Sequence, residues 1–191
     1  MTERNVSETD REDTELLEQF RQEETRNLAF NRLVRKYQQR IYRHIRRMVI
    51  DHDDADDLTQ NCFIKVWQNL AQFQQKAKLS TWMYAIATNE CISFLRKKRM
   101  RFFIPIHDVE QELAGKLDHG QYLSGSEIEL KLQKALLTLP EKQRLVFNLK
   151  YFEEMTYEEM SEVLGTSVGA LKASYHHAVK KIEKYVTQET T

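Results

Sequence analysis

Residues 156–182 read TYEEMSEVLGTSVGALKASYHHAVKKI, and this stretch decides how the chain folds. Thr156 followed three residues later by Glu159 is a capping box, in which each side chain serves the other's backbone N–H at a helix start. Met160, Val163 and Leu164 give the short helix that follows a buried side. Gly165 supplies the left-handed residue that ends it. Thr166 or Ser167 can cap a second helix, with the stripe Val168, Leu171, Tyr175, Ala178 or Val179, Ile182 and Val186. Helix, tight glycine turn, helix is the helix-turn-helix pattern, with a plain helical hairpin as the alternative. The outer face of the second helix carries Lys172, Ser174, His176, His177, Lys180 and Lys181, whereas the first helix is acidic. The second helix is therefore expected to enter a DNA major groove, its N-terminal half at base edges. Neighbouring residues point about 100° apart on a helix, so one metal ion cannot easily use both histidines.

Upstream, the same helical period governs. Phe30, Leu33, Val34, Tyr37, Ile41, Ile45, Met48 and Val49 share one face, and Arg35, Arg40, Arg43, Arg46 and Arg47 lie mostly off it. Ala55, Leu58, Cys62, Val66 and Leu70 stripe a second helix; Met83, Ala87, Cys91 and Leu95 stripe a third. No segment alternates with period two for long, so no sheet is expected. Pro105, Gly115, Gly120 and Gly125 all fall within residues 102–126, an acidic stretch without a long period that reads as a flexible linker. The expected architecture is all-α: an acidic N-terminal tail over 1–24, a small helical domain over 25–101, the linker, and a second helical domain with the helix-turn-helix over 127–187. The tail is too polar to fold alone; Leu16, Leu17 and Phe20 are its short apolar set.

The formal net charge is zero, but it is unevenly spread. Residues 1–24 hold nine acids and three bases, and residues 25–100 hold fifteen bases and six acids. An acidic end beside a basic body points to an anionic partner. No apolar run approaches the roughly 18 residues of a membrane span, and no signal segment opens the chain. Cys62 and Cys91 sit inside apolar stripes without CxxC spacing, which fits reduced core thiols in a cytoplasmic protein.

Residues 50–63, IDHDDADDLTQNCF, place five aspartates between Asp51 and Asp57. Asp53, Asp54 and Asp57 fit the DDxxD spacing that holds Mg²⁺ in some helical enzymes, but no second acidic cluster of that density appears, and no metal or cofactor is expected. Acids in a first helical turn favour the helix dipole by about 0.3–1 kcal/mol each, and Asp51 or Asp53 can be the N-cap. Gln60, Asn61 and Lys65, flanked by Phe63 and Trp67, then read as a protein-binding surface. Residues 80–101, STWMYAIATNECISFLRKKRMR, carry a different signal. Ser80 and Thr81 can cap, Trp82 and Tyr84 offer rings for unpaired bases, and Arg96, Lys97, Lys98, Arg99 and Arg101 neutralise phosphates. A core tryptophan on a solvated basic helix is the alternative. The preceding polar loop, QFQQKAKL over 72–79, is suited to hold an extruded base.

Together DDLTQNCFIKVWQNL, KLSTWMYAIATNECISFLRKKR and LPEKQRLVFNLKYFEEMTYEEMSEVLGTSVGALK resemble, in order and spacing, the extracytoplasmic-function (ECF) class of bacterial sigma factors, in the sigma-70 family. The resemblance covers residues 25–100 and 127–186. It implies a non-enzymatic subunit whose partners are core RNA polymerase and promoter DNA. The first domain would hold the polymerase and the −10 element, the second the −35 element and the polymerase flap. Asp57, Leu58 and Gln60, with Asp56, Asn61, Phe63 and Trp67 beside them, match the family's helix for the clamp helices of the largest polymerase subunit. Lys78, Ser80, Thr81, Trp82, Tyr84, Asn89, Arg96 and Lys97 match the promoter-melting segment. Ser167, Lys172, Ala173, Ser174, His176 and His177 match the upstream-element readers, with Lys180 and Lys181 beyond them. Many members carry arginines where this chain has Ala173, Ser174 and two histidines. The family often has an anti-sigma partner that wraps both domains. Two other readings stand beside this one: a helix-turn-helix regulator acting without polymerase, and an all-helical Mg²⁺ enzyme.

Overall fold

A 24-residue helix with one continuous apolar stripe cannot hide that stripe by itself. The computed structural model, which describes residues 8–102 and 127–188, shows what hides it. Helix α2 (Arg26–Val49) is packed by α1 (Glu8–Arg21), α3 (His52–Asn69) and α4 (Leu79–Phe102). Leu33, Tyr37, Ile41, Ile45 and Met48 are buried from α2, Ala55, Leu58, Cys62 and Val66 from α3, and Met83, Ala87, Cys91 and Leu95 from α4. These are the stripes read from the sequence. A 3₁₀ turn, Leu70–Gln72, begins the loop from α3 to α4.

The second helical domain comprises α5 (Glu127–Leu137), α6 (Glu141–Tyr151), α7 (Tyr157–Leu164) and α8 (Val168–Gln188). Ala135, Leu136, Leu139, Phe147, Ala178 and Ile182 form its own core. The fold is all-α, with no strand among the described residues. Residues 103–126, most of the expected linker, and the side chains of Arg99 and Arg101 lie outside the described residues.

The acidic N-terminal tail is corrected in part. Residues 1–7 are not described, but Glu8–Arg21 is a helix. Fourteen residues are too few for a stable isolated helix. Docking supplies the rest: Leu16, Leu17 and Phe20 are buried against α2. Asp13, also buried, accepts from Tyr37 Oη at 2.6 Å and Lys36 Nζ at 2.7 Å. Burial and that carboxylate raise the Tyr37 pKa well above its usual range, so its hydroxyl stays a donor.

Local chemistry fixes the boundaries. Ile50 ends α2 with φ 65°, an unfavourable conformation for a β-branched residue, held by complete burial of its side chain. The chain then reverses, and Asp51 caps α3 by accepting from the Asp54 N–H at 3.1 Å. The capping box of α7 is formed: Thr156 N–H donates to Glu159 at 2.9 Å, and Glu159 N–H to Thr156 Oγ1 at 3.1 Å. Gly165, at φ 59°, ends α7 in the left-handed conformation. Ser167 caps α8, its hydroxyl accepting from Ala170 N–H at 3.4 Å.

The two helix-turn-helix glycines predict opposite outcomes from one substitution. An added Cβ meets nothing within 4 Å at either position. Gly165→Ala forces alanine into the left-handed region and should destabilise by about 1–2 kcal/mol. Gly169→Ala, inside α8, should stabilise by about 0.5–1 kcal/mol by removing glycine's backbone-entropy cost. Thermal melts of the two variants check both signs.

Candidate nucleic-acid and protein interfaces

With Asp51 at the cap, α3 turns residues 55, 58, 62 and 66 inward and a polar stripe outward. Asp53, Asp56, Asp57, Gln60, Asn61 and Lys65 are exposed. Leu58 and Phe63, both read as polymerase-facing, are buried and anchor α3 in the core. Trp67 stands between these cases. It is 37% exposed, its ring edge-on to Phe20 at 5.1 Å and Phe30 at 4.9 Å. Ile64, 53% exposed beside Gln60 and Asn61, was not singled out from the sequence. Its signal was its place seven residues after Asp57, an apolar side chain on an outward stripe. The aspartates themselves are dispersed. Asp51 caps, Asp54 reaches Lys98 Nζ at 3.6 Å, and Asp56 lies 3.6 Å from His52 Nε2. Among the described residues no three His, Cys, Asp or Glu side chains gather as a metal site would require.

Helix α4 begins at Leu79, its first turn closed by Trp82 N–H donating to the Lys78 carbonyl at 3.1 Å. Lys78 thus holds the cap position, and Ser80 and Thr81 lie within the helix instead of capping it. Thr81 and Tyr84, read as DNA-facing, are buried in this arrangement. Trp82, Asn89 and Arg96 recur every seven residues on one face. Trp82 is half-buried, 5.0 Å from the Phe73 ring in the preceding loop; Lys78, Asn89, Arg96 and Lys97 are exposed, and Ser80 is half-buried. Cys62 and Cys91 are free, buried thiols, and burial pushes the Cys62 pKa up to about 12.

Helix α8 presents Ser167, Lys172, Ala173, His176, His177, Lys180 and Lys181 to solvent, with Ser174 half-buried. Leu171, Ala178 and Ile182 are buried on the opposite side and set this orientation. The Lys172 ammonium lies 5.6 Å from the centre of the Tyr157 ring, a cation–π placement that ties α8 to α7.

The domains meet at a polar group that no local pattern announced. Glu153, in the loop after α6, is almost fully buried between them. It accepts from Arg47 Nη1 at 3.0 Å and from the Tyr84 hydroxyl. Burial raises its pKa, against the pull of Tyr84, Arg47, Arg40 and Arg43. His44 Nδ1 is 3.8 Å away, and its Nε2 is 3.0 Å from Thr88 Oγ1. Complete burial, with Arg47 nearby, lowers the His44 pKa to about 3, so the ring is neutral at pH 7.

Residues 33–101 match the family model for Sigma-70 region 2, and residues 129–182 that for Sigma-70, region 4. The chain is 31% identical over 169 residues to the ECF RNA polymerase sigma factor SigW of Bacillus subtilis (strain 168), spanning 82% of this chain and 88% of that protein. It is 31% identical over 186 residues to the RNA polymerase sigma-H factor of Pseudomonas aeruginosa, spanning 92% and 94%. Its fold is similar to the sigma factor RpoE in complex with the anti-sigma factor NepR from Bartonella quintana: TM-score 0.66, 21% identity, 83% of this chain and 96% of that one. The chain belongs to the sigma-70 family. Within that family it is an ECF RNA polymerase sigma factor, which directs promoter recognition. Among the described residues no helix is long and apolar enough to cross a membrane.

Proposed function

We propose that three surfaces divide the work of promoter recognition in this chain. Asp56, Asp57, Gln60, Asn61 and Ile64 on α3, with the exposed edge of Trp67, bind the clamp helices of the largest subunit of core polymerase. Lys78, Trp82, Asn89, Arg96 and Lys97 along α4 hold the −10 element, Trp82 stacking on an unpaired base. The outer face of α8 reads the −35 element, with Lys172 and His176 near base edges and Lys180 and Lys181 on phosphates. The second domain also meets the polymerase flap. The carrying observation is that α3 and α4 pack side by side in one domain, their solvated faces unlike in chemistry: acid and amide on one, aromatic and base on the other. A regulator acting without polymerase has no use for the first of these. Binding energy for unpaired bases helps offset the cost of melting, and the phosphodiester chemistry belongs to the polymerase. Support for an anti-sigma partner comes from the RpoE–NepR complex, whose sigma chain has a similar fold.

The test is a pull-down with core polymerase. Asp57→Arg with Gln60→Ala, both exposed, should leave the fold intact and weaken core binding, by about 2–5 kcal/mol for each charge pair that the complex buries. Unchanged binding by the folded double variant would refute the α3 assignment.

Trp82→Ala should slow open-complex formation on duplex promoter more than on a pre-melted template, since removing a base stack costs about 1–3 kcal/mol. Equal impairment on both templates would make Trp82 a packing residue, placed against Phe73 and the core of the first domain.

On α8 the two ends should differ. Lys172→Ala or His176→Ala should relax discrimination at particular base pairs by about 1–3 kcal/mol. Lys180→Ala and Lys181→Ala should weaken binding to every sequence alike and flatten the salt dependence by about one unit of slope each. A base-substitution panel of upstream duplexes at two salt concentrations separates these effects.

A further inference from the structure

A helix C-terminus leaves backbone carbonyls without partners inside the helix. At the end of α1 the start of α2 takes up two of them. Thr25 Oγ1 donates to the Gln19 carbonyl at 2.6 Å, and Arg26 Nε donates to the Phe20 carbonyl at 3.2 Å. The Arg26 guanidinium also lies 5.8 Å from the centre of the Phe20 ring. That ring, 3% exposed, is one corner of a triangle of aromatics. Phe20 and Phe30 are 6.1 Å apart, and Trp67 stands edge-on to both, with interplanar angles of 87° and 78°. Edge-to-face placement is one of the arrangements that the ring quadrupoles favour. Helix α1 also packs against the 3₁₀ turn after α3, so it bridges α2 and the end of α3. Phe20 and Phe30 both precede residue 33, where the match to Sigma-70 region 2 begins.

We propose that α1 is a positioning element of the polymerase-binding face: Phe20 holds the Trp67 indole edge-on, so that its exposed side meets the clamp helices as a pre-ordered anchor beside Ile64. This rests on the reading of the outer stripe of α3 as polymerase-facing. Ile64 and Trp67 are three residues apart, hence neighbours on one helix face, and both reach solvent. Tryptophan is enriched among the few residues that carry most of an interface's binding energy. A side chain already held in one orientation loses less freedom on association. The last turn of α3 cannot hold the indole by itself, because its inward residues are committed to the core and Trp67 lies off that stripe. The ring contacts that fix it come from the end of α1 and the start of α2. The docking of α1 through Asp13, Leu16 and Leu17 therefore sets a surface two helices away in the chain.

The experiment uses the full chain with Phe20→Leu, which keeps an apolar side chain under α1 and removes the ring. Phe20→Met, a flexible filler of the same gap, is the second variant. Helical circular dichroism should be unchanged in both. Affinity for core polymerase should fall about two- to tenfold, the size of one aromatic pair. The chain has two tryptophans, so Trp82→Phe leaves Trp67 as the sole emitter for spectroscopy of the free protein. In that background Phe20→Leu should shift the Trp67 emission to the red and speed the decay of its anisotropy. A role in folding alone would not be confined to Trp67, so the cycle with Trp67→Ala decides between them. Phe20→Leu should cost no further affinity once Trp67 is alanine. An equal further loss in that background overturns the proposal, because α1 then acts by supporting the domain as a whole. Unchanged emission and anisotropy overturn it too, as does a freed indole with undiminished polymerase affinity. If Trp67→Ala by itself leaves core binding intact, the proposal falls through the polymerase-facing reading, while the spectral change still reports that Phe20 holds the indole.

Discussion

The first domain is organised around one column of side chains. Leu33, Tyr37, Ile41, Ile45 and Met48 of α2 are all at most 2% exposed. Helices α1, α3 and α4 all pack against α2, and the second domain reaches it through α6. Short helices are marginal in water on their own, so the existence of α1 in particular follows from having this stripe to cover. The constraint reaches the surfaces as well. Because α3 must turn Leu58 and Cys62 inward, Asp57, Gln60 and Ile64 have only the outer face to occupy. Because α4 must bury Met83, Ala87 and Cys91, Trp82, Asn89 and Arg96 align on another. The outward chemistry is a by-product of the inward packing, and that gives a binding face a fixed geometry without a rigid loop.

A net charge of zero conceals a division of labour. Acids concentrate on α1, on the first turns of α3 and on α7, while bases lie along α2, at the end of α4 and on α8. Some of this separation is consumed inside the molecule: Asp13 and Glu12 take Lys36, Asp54 takes Lys98, and Glu90 takes Lys65. Such pairs tie neighbouring helices together and contribute modestly where they are exposed. Glu153 differs because it is buried. A carboxylate withdrawn from water needs its partners in place, which makes it sensitive to how the domains sit in a way that exposed pairs are not.

Much of this was legible in the sequence. The stripes of α2, α3 and α4, the capping box at Thr156 and the glycine end at Gly165 all depend on residues within one or two turns of each other. A backbone N–H three residues away is the same distance in any helix. The aspartate run was half legible: its role as a helix start needed only Asp51 and Asp54, but the pairing of Asp54 with Lys98 needed the fold. Helix α1 was missed although Leu16, Leu17 and Phe20 were visible in it, because the stripe they cover and the partners of Asp13, Lys36 and Tyr37, lie in the next helix.

What the sequence determined by itself, then, was where helices start and stop, which side of each is apolar, and the family those segments spell out in order. What only the tertiary structure decided was which residues of surface chemistry are withdrawn from solvent. Leu58, Phe63, Thr81 and Tyr84 were all read as partner-facing and are buried. Arg47 meets Glu153 across 106 positions of chain, and Tyr84 meets it across 69. Capping and periodicity act over a few residues and can be read along the chain. Burial and ion pairing depend on groups brought together by packing, and no local pattern records which groups those will be.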